Sequence, residues 1–524
     1  MRNFDLFRVP LRPRGQYLGL EVPGLAEGRP SLLLGDRVVA TVAIQEEEEE
    51  EERGGGRYWE GFIHEIGKDY VLLKFAQELH QNSFLHNYDI IFQFSRTSFR
   101  RMHHSVEIAH LLGSKVLFPG KQTPKQPLIK LPSSSDCNHD NVGGVSVPCQ
   151  FYNPVLNRRQ QSAVRRILAA QNRPTPYVVF GPPGTGKTVT LVEAILQIHQ
   201  RSRASRVLAC APSNSAADLI MERLLCSGLL GEGEIVRLNA IQRAEPPPSI
   251  AAFCEDTDNA HIAARCRVVV STCMTAGFLH SLGLPVGHFS HVIVDEAGQA
   301  TEPEALLSAT LLSNTTGQLV LAGDPHQLGP VLTSHHANSL GLSLSLMERV
   351  MSRGPYLRDP AKYSDHGSYD PLMVTKLVDN YRSHSSILNL YSDTFYHGEL
   401  EPRADPSVTS LMCDWEGLPT KGFPLLFHGV MGEDMREGNS PSWFNPVEII
   451  EVVSHVQSVI DNSTFAPKLS DIGIISPYRK QVERIRWFLG RVGVEGVKVG
   501  SVEEFQVKRD WSSSYLLFVP LSSF

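Results

Sequence analysis

No apolar run in this chain is long enough to cross a bilayer. The opening residues Met1-Arg2-Asn3-Phe4-Asp5 carry no apolar core of a secretory signal, so a cytosolic protein with no membrane partner is expected. Positive charge is not in excess either. The chain has 49 Lys and Arg against 56 Asp and Glu, a net charge of −7. That argues against a passive, high-affinity nucleic-acid module and leaves room for an enzyme with a locally basic groove. The eight cysteines point the same way as the expected cytosolic location, since most, among them Cys210, Cys226 and Cys273, sit in apolar or helical contexts where buried thiols are common. Cys137, His139 and Cys149 lie close together, but a fourth ligand at zinc-finger spacing is missing, so no zinc site is expected there.

The chain is long enough for several domains. Residues 1 to about 115 read as β-rich, with strand patterns at Arg37 to Ile44, Gly61 to Glu65, Tyr70 to Phe75 and Tyr88 to Phe94. Short strands joined by turns predict a small barrel or sandwich. The acidic run Glu46 to Glu52, followed by Arg53-Gly54-Gly55-Gly56-Arg57, reads as a solvated loop. Gly120 to about Cys149 is rich in Pro, Ser, Asn and Gly and reads as a linker. From Phe151 apolar runs alternate with helical patterns: Val178 to Phe180, Val207 to Ala211, Val268 to Ser271, Val292 to Val294 and Leu319 to Ala322. That alternation predicts an α/β fold, a parallel sheet covered on both faces. A second series contains Ile472 to Ile475 and Val497 to Val499. Polar or acidic residues follow nearly every run, and ligands of open α/β sheets bind beyond the carboxyl ends of the strands.

The run ending at Phe180 leads into Gly181-Pro182-Pro183-Gly184-Thr185-Gly186-Lys187-Thr188 and then a helical pattern. Strand, glycine loop, Lys-Thr and helix make a P-loop. Its glycines let backbone N–H groups curl around phosphate oxygens, and the helix N-terminus adds partial positive charge. Lys187 is expected to serve the outer phosphates of ATP, and Thr188 to offer its hydroxyl to Mg²⁺. After Val294 come Asp295 and Glu296: the first is expected to hold Mg²⁺, the second to orient and deprotonate the attacking water. Without a P-loop upstream the same pair would be an ordinary helix start. Gln327, in Gly323-Asp324-Pro325-His326-Gln327, is placed to sense the γ-phosphate, although Gly-Asp-Pro is also plain turn chemistry.

Ser213 and Asn214, and likewise Thr272, are small polar residues after strands, suited to contacts with nucleic-acid phosphates or, equally, to capping helices. In Asn380-Tyr381-Arg382-Ser383-His384, Tyr381 is expected to stack on adenine and Arg382 to reach the γ-phosphate from a second domain. Pro477, in Ile475-Ser476-Pro477-Tyr478-Arg479-Lys480-Gln481, belongs to a second basic loop after a strand.

In this order the set resembles helicase superfamily one, in its Upf-like branch, from about Phe151 to Gln506. Within the branch it is most similar to the Moloney leukaemia virus 10-like, Armitage-type RNA helicases. Gly429 to Glu433, Arg436 to Pro446 and Lys498 to Gln506 carry that finer match, and Asp295-Glu296-Ala297-Gly298-Gln299-Ala300 leans toward the germline, piRNA-associated member. The resemblance implies that Leu156, Asn157 and Gln160 form an adenine-reading Q motif. It implies a β-rich accessory domain over 1–118 and a linker over 119–150. It then implies RecA-like domains over 151–350 and 351–506, the first complete and the second truncated, with a non-family tail over 507–524. It further implies an ATP-dependent helicase moving 5′ to 3′ on single-stranded RNA in small-RNA silencing. Argonaute or Piwi-type partners, a monomeric state and a cytoplasmic location that includes RNA granules follow from the same resemblance. RNA rather than DNA rests on it alone.

One departure from the family pattern stands out. The family continues after Phe-Gln with Gly-Gln-Glu, whereas here Gln506 is followed by Val507-Lys508-Arg509-Asp510 and the chain stops at Phe524. The family's last strands and its Arg finger are expected to be missing, and such an Arg is worth roughly 10³–10⁵ in rate. A competing expectation is therefore an isoform, arising from splicing or intron read-through, that binds ATP and RNA or a silencing partner without efficient hydrolysis.

Overall fold

The computed structural model describes residues 4–25, 32, 35–43, 58–67, 69–83, 86–93, 96–121, 123–129, 151–240, 243, 245–285, 287–313, 317–332, 334–437, 442–461, 467–502, 505 and 515–518. The acidic run 46–52, the Cys137, His139 and Cys149 group, most of the linker, and Gln506 and Val507 lie outside these. Two compact units divide the chain. One holds residues 98–414 and 420–425; the other holds 1–97, 415–419 and 426–524.

In the second of these units, the N-terminal strands are β1 (Leu6–Val9), β2 (Arg12–Arg14), β3 (Tyr17–Glu21), β4 (Arg37–Val42), β5 (Tyr58–Ile66), β6 (Tyr70–Lys74) and β7 (Tyr88–Gln93). They form one antiparallel sheet in the order β1-β7-β4-β5-β6-β3-β2. Along β4 and β7 the residues alternate, with Val38, Ala40, Tyr88, Ile90 and Phe92 turned into the core. β1 and β2 stand at opposite ends of the sheet, yet only Pro10 and Leu11 separate them in the chain. A link that short spans about 11 Å at most. The sheet must therefore roll until its edges nearly meet, and the irregular register between Ile63 and Glu65 helps bend it. This is the expected barrel, with three strands before Arg37 that the sequence pattern did not reveal.

The unit 98–414 is built on β8 (Tyr177–Phe180), β9 (Val207–Ala211), β10 (Ile235–Asn239), β11 (Cys254–Asp256), β12 (Val268–Thr272), β13 (His291–Val294), β14 (Gln318–Gly323) and β15 (Val374–Lys376). All pair in parallel, in the order β11-β10-β12-β9-β13-β14-β8-β15. The period of two along each strand sorts the core by face. Val178, Phe180, Leu208, Val292, Val294 and Leu321 join one cluster; Tyr177, Val179, Val207, Ala209, Ile293 and Val320 join the other. The five strands expected from the sequence are all here. β15 is an addition: residues from 351 to 414, expected with the second RecA-like domain, belong to this unit.

The later part of the other unit holds a smaller parallel sheet. Strand Ile472–Ile475 lies between Lys498–Gly500 and Tyr515–Phe518. Residues after 506 thus supply a strand, and Ile472–Ile475 is paired on both sides. The helices Pro446–Ile460 and Arg479–Arg491 pack Ile449, Val452, Val453, Val456, Val482, Ile485 and Leu489 against Ile472, Ile474 and Val499. Asn445 starts the first helix by accepting hydrogen bonds from the Val447 and Glu448 N–H groups, and Pro446 has no N–H to lose.

Candidate functional site

The carboxyl ends of β8, β13 and β14 converge. The Gly181 N–H donates to the Gly323 carbonyl (3.0 Å), and the Asp295 N–H to the Cys210 carbonyl (2.8 Å). The loop after β8 turns at Gly184 (φ +74°) and Gly186 (φ +82°), both left-handed. A Cβ on Gly186 would stand 2.5 Å from Gln160 Nε2, so this glycine is needed for closeness as well as for its backbone angle. The helix Lys187–Arg201 starts directly after it, with no side chain capping its first turn. Its leading N–H groups are the natural anion site of such a loop.

Lys187 and Glu296 are buried, with Nζ 3.8 Å from Oε1. Lys187 also donates to the Gly181 carbonyl at 2.7 Å. The Thr188 hydroxyl donates to Asp295 Oδ2 at 2.8 Å, and Asp295 Oδ1 accepts from the Glu296 N–H at 2.9 Å. Glu296 has φ +53°, a left-handed backbone that costs a non-glycine residue about 1–3 kcal/mol. That cost is borne at the residue expected to act as base, and Gln299 Nε2 reaches its Oε2 at 3.3 Å. A hydroxyl and a carboxylate of hard oxygen, held side by side at 1% exposure each, fit Mg²⁺.

The stretch Asn380 to His384 closes over the glycine loop within the same unit. The Tyr381 N–H donates to the Gly184 carbonyl at 2.9 Å, and a Cβ on Gly184 would lie 2.8 Å from Arg382 Cβ. Arg382 therefore stands beside the P-loop from residue 382 of this unit, not from a second one. Tyr381 is exposed on its ring, and its hydroxyl accepts from Asn157 Nδ2 at 2.9 Å. Asn380, to which the sequence pattern assigns no role, holds this stretch together. Fully buried, it donates to the Pro183 carbonyl (2.7 Å) and accepts from the N–H groups of Arg382 (3.0 Å) and Ser383 (2.8 Å). A polar residue at the end of a short strand was its only signal.

Other expected contacts are directed elsewhere in this structure. The Gln160 side chain accepts from the Asn157 N–H (3.0 Å) and donates to the Thr185 carbonyl (3.1 Å), so its amide ties a helix start to the P-loop. Gln327 Nε2 donates to Asp324 Oδ2 at 2.8 Å, and the Tyr396 hydroxyl donates to the same oxygen at 2.7 Å. Burial, and then the Asp324 charge, push the Tyr396 phenol far above its ordinary pKa. Asp324 is thus the hub of this loop, and Tyr396 a partner that sequence reasoning missed.

Ser213 and Thr272 both cap helices, accepting from the N–H groups of Ala216 (3.3 Å) and Thr275 (3.1 Å). Asn214 Oδ1 accepts from Arg237 Nη2 at 3.0 Å, while Arg237, wholly buried, also donates to Asp218. Pro477 is exposed, in the other unit, and follows Ser476, whose N–H donates to the Gly500 carbonyl.

Three family models match the chain: the helicase MOV-10 β-barrel domain over residues 4–94, one AAA domain over 155–262 and 252–335, and another AAA domain over 342–509. Among curated relatives, RNA helicase Mov10l1 of Homo sapiens is 42% identical over 97% of this chain and 45% of its own length. Probable RNA helicase armi of Drosophila melanogaster is 36% identical over 96% of this chain and 45% of its own. Putative helicase mov-10-B.1 of Danio rerio is 41% identical over 94% of this chain and 48% of its own. The chain spans about half the length of these relatives.

Proposed function

We propose that this chain, a homologue of the Mov10l1- and Armitage-type RNA helicases of superfamily one, binds ATP at the P-loop of its eight-stranded sheet and uses it to move 5′ to 3′ on single-stranded RNA. The observation that carries this is the packing of four residues at one strand mouth: Thr188 on Asp295 at 2.8 Å and Lys187 near Glu296 at 3.8 Å. Incoming phosphates would replace the Gly181 carbonyl as the partner of Lys187. Thr188 and Asp295 would hold Mg²⁺, which neutralises phosphate charge when bound. Glu296 would take a proton from the attacking water, Arg382 would meet the γ-phosphate, and Tyr381 would offer its ring to the base.

RNA would be the nucleic acid, as in the relatives' names. Contacts at Ser213, Asn214, Thr272 and Pro477 are part of this proposal, with hydroxyls that now cap helices turning to phosphates. We place its work in piRNA-type silencing beside Argonaute or Piwi-type proteins, in the cytoplasm and its RNA granules, as a monomer. The nucleotide-gripping residues all lie in one compact unit, which gives the second reading its basis: nucleotide binding without efficient turnover needs nothing beyond that unit. ATP turnover by the 524-residue chain with and without single-stranded RNA separates the two. RNA-stimulated hydrolysis supports the motor; ATP binding with flat, background hydrolysis supports the passive reading; absence of both sinks the site.

A further inference from the structure

The nucleotide site draws every residue from the unit 98–414 and leaves a separate cluster in the other unit unexplained. On the helix Pro446–Ile460, Glu451 and His455 are four residues apart and so share a face. His428 arrives at the same place from the chain segment ahead of that helix, with its Nδ1 2.8 Å from His455 Nε2. One possible ligand atom from each of His428, Glu451 and His455 lies within 4.8 Å of the other two. Trp415 packs at a steep angle on His455, with ring centres 6.4 Å apart, and the two imidazoles meet edge to face at 5.1 Å.

We propose that His428, Glu451 and His455 form a binding site for a divalent transition-metal ion of the Zn²⁺ class. The donor set is the argument. Two imidazole nitrogens and a carboxylate oxygen suit Zn²⁺, whereas Mg²⁺ and Ca²⁺ ask for oxygen throughout. Ligand arms of about 2.0–2.1 Å in tetrahedral array put neighbouring donors about 3.3 Å apart. The two rings therefore need to open by only about 0.5 Å, and the carboxylate to swing inward along its own helix face. A hydrogen bond between the two rings accounts for the contact of His428 with His455; it gives no reason for a carboxylate one turn earlier on the same face. Three protein ligands leave a fourth position for water. The bound ion would fasten the segment around His428 to the helix.

The test uses the untagged full chain, stripped with chelator and titrated with Co²⁺, whose visible absorption reports tetrahedral coordination, followed by displacement with Zn²⁺. The wild type should show one Co²⁺ band that Zn²⁺ removes. His428→Ala and His455→Ala should each weaken binding by more than about 10-fold, since even an outer-shell loss costs that much. Zn²⁺ should raise the melting temperature of the wild type but not of the double variant. Matching melting temperatures of the ion-free proteins would show that the variants fold. A double variant that binds Co²⁺ as the wild type does, or a wild type with no ion-dependent band, would overturn the proposal.

Discussion

Every residue of β8, β9, β10, β12, β13, β14 and β15 is buried, with only the edge strand β11 partly exposed, whereas the three-stranded sheet has the partly buried Lys498 on one of its outer strands. The difference bears on where chemistry can sit. Along strands buried on both faces a polar side chain must find its partner inside, as Arg237 does in Asp218, whereas at the strand ends Lys187, Asp295 and Glu296 gather, shielded from water, which strengthens their mutual field. After the middle strand of the smaller sheet the charges are more exposed and paired with one another, Lys480 and Arg484 with Glu437 and Lys480 with Glu483. Its titratable cluster of His428, Glu451 and His455 lies on a helix and the segment before it.

The largest expected effect tests the sealed end. Glu296→Gln keeps shape and removes the base, so turnover should fall by about 10²–10⁴ while ATP affinity stays close to wild type. Unchanged turnover would take Glu296 out of the chemistry. Next comes the latch. Asn380→Ala removes the acceptor of the Arg382 and Ser383 N–H groups and the donor to the Pro183 carbonyl. We expect a stability loss of about 1–3 kcal/mol by denaturant unfolding, together with weaker ATP binding.

The two units should also respond to pH in opposite directions. Burial, with the Arg173 charge, lowers His291 in β13 from 6.5 to about 4. A depressed folded pKa contributes stability present above 6.5 and lost as pH falls through 4. Burial, with the Asp434 charge, raises Glu448 from 4.5 to about 7, and its contribution is full below 4.5 and lost as pH rises through 7. His291→Val should flatten the acid arm of melting temperature against pH. Glu448→Gln should flatten the arm toward alkaline pH. Parallel curves for wild type and variants would remove the contrast. The smallest effect sharpens the role of Tyr381. Its loss to Ala should weaken ATP by about 1–3 kcal/mol through stacking, whereas Tyr381→Phe should change affinity very little.

Much of the large sheet was legible because its strands are continuous apolar runs, each followed by a polar break. Lys187, Thr188, Asp295 and Glu296 were legible as neighbours, since each pair follows an apolar strand and the structure brings the two pairs together. β15 was not, since Val374-Thr375-Lys376 is short and polar and is held by pairing with β8. Asn380, Asp324 and Tyr396 act through contacts across long stretches of chain, which periodicity does not carry. Gln160, Ser213 and Thr272 show the opposite difficulty. Their types suit ligand contacts and helix starts equally, and in this structure they serve the helix starts.

Nucleotide affinity of Lys187→Ala against wild type, measured by equilibrium titration with ATP and Mg²⁺, tests the central claim most directly. A charge in a water-poor pocket beside phosphate should matter by about 10²–10³, so binding should weaken on that order while the fold persists. Equal affinity for the two proteins would contradict the account.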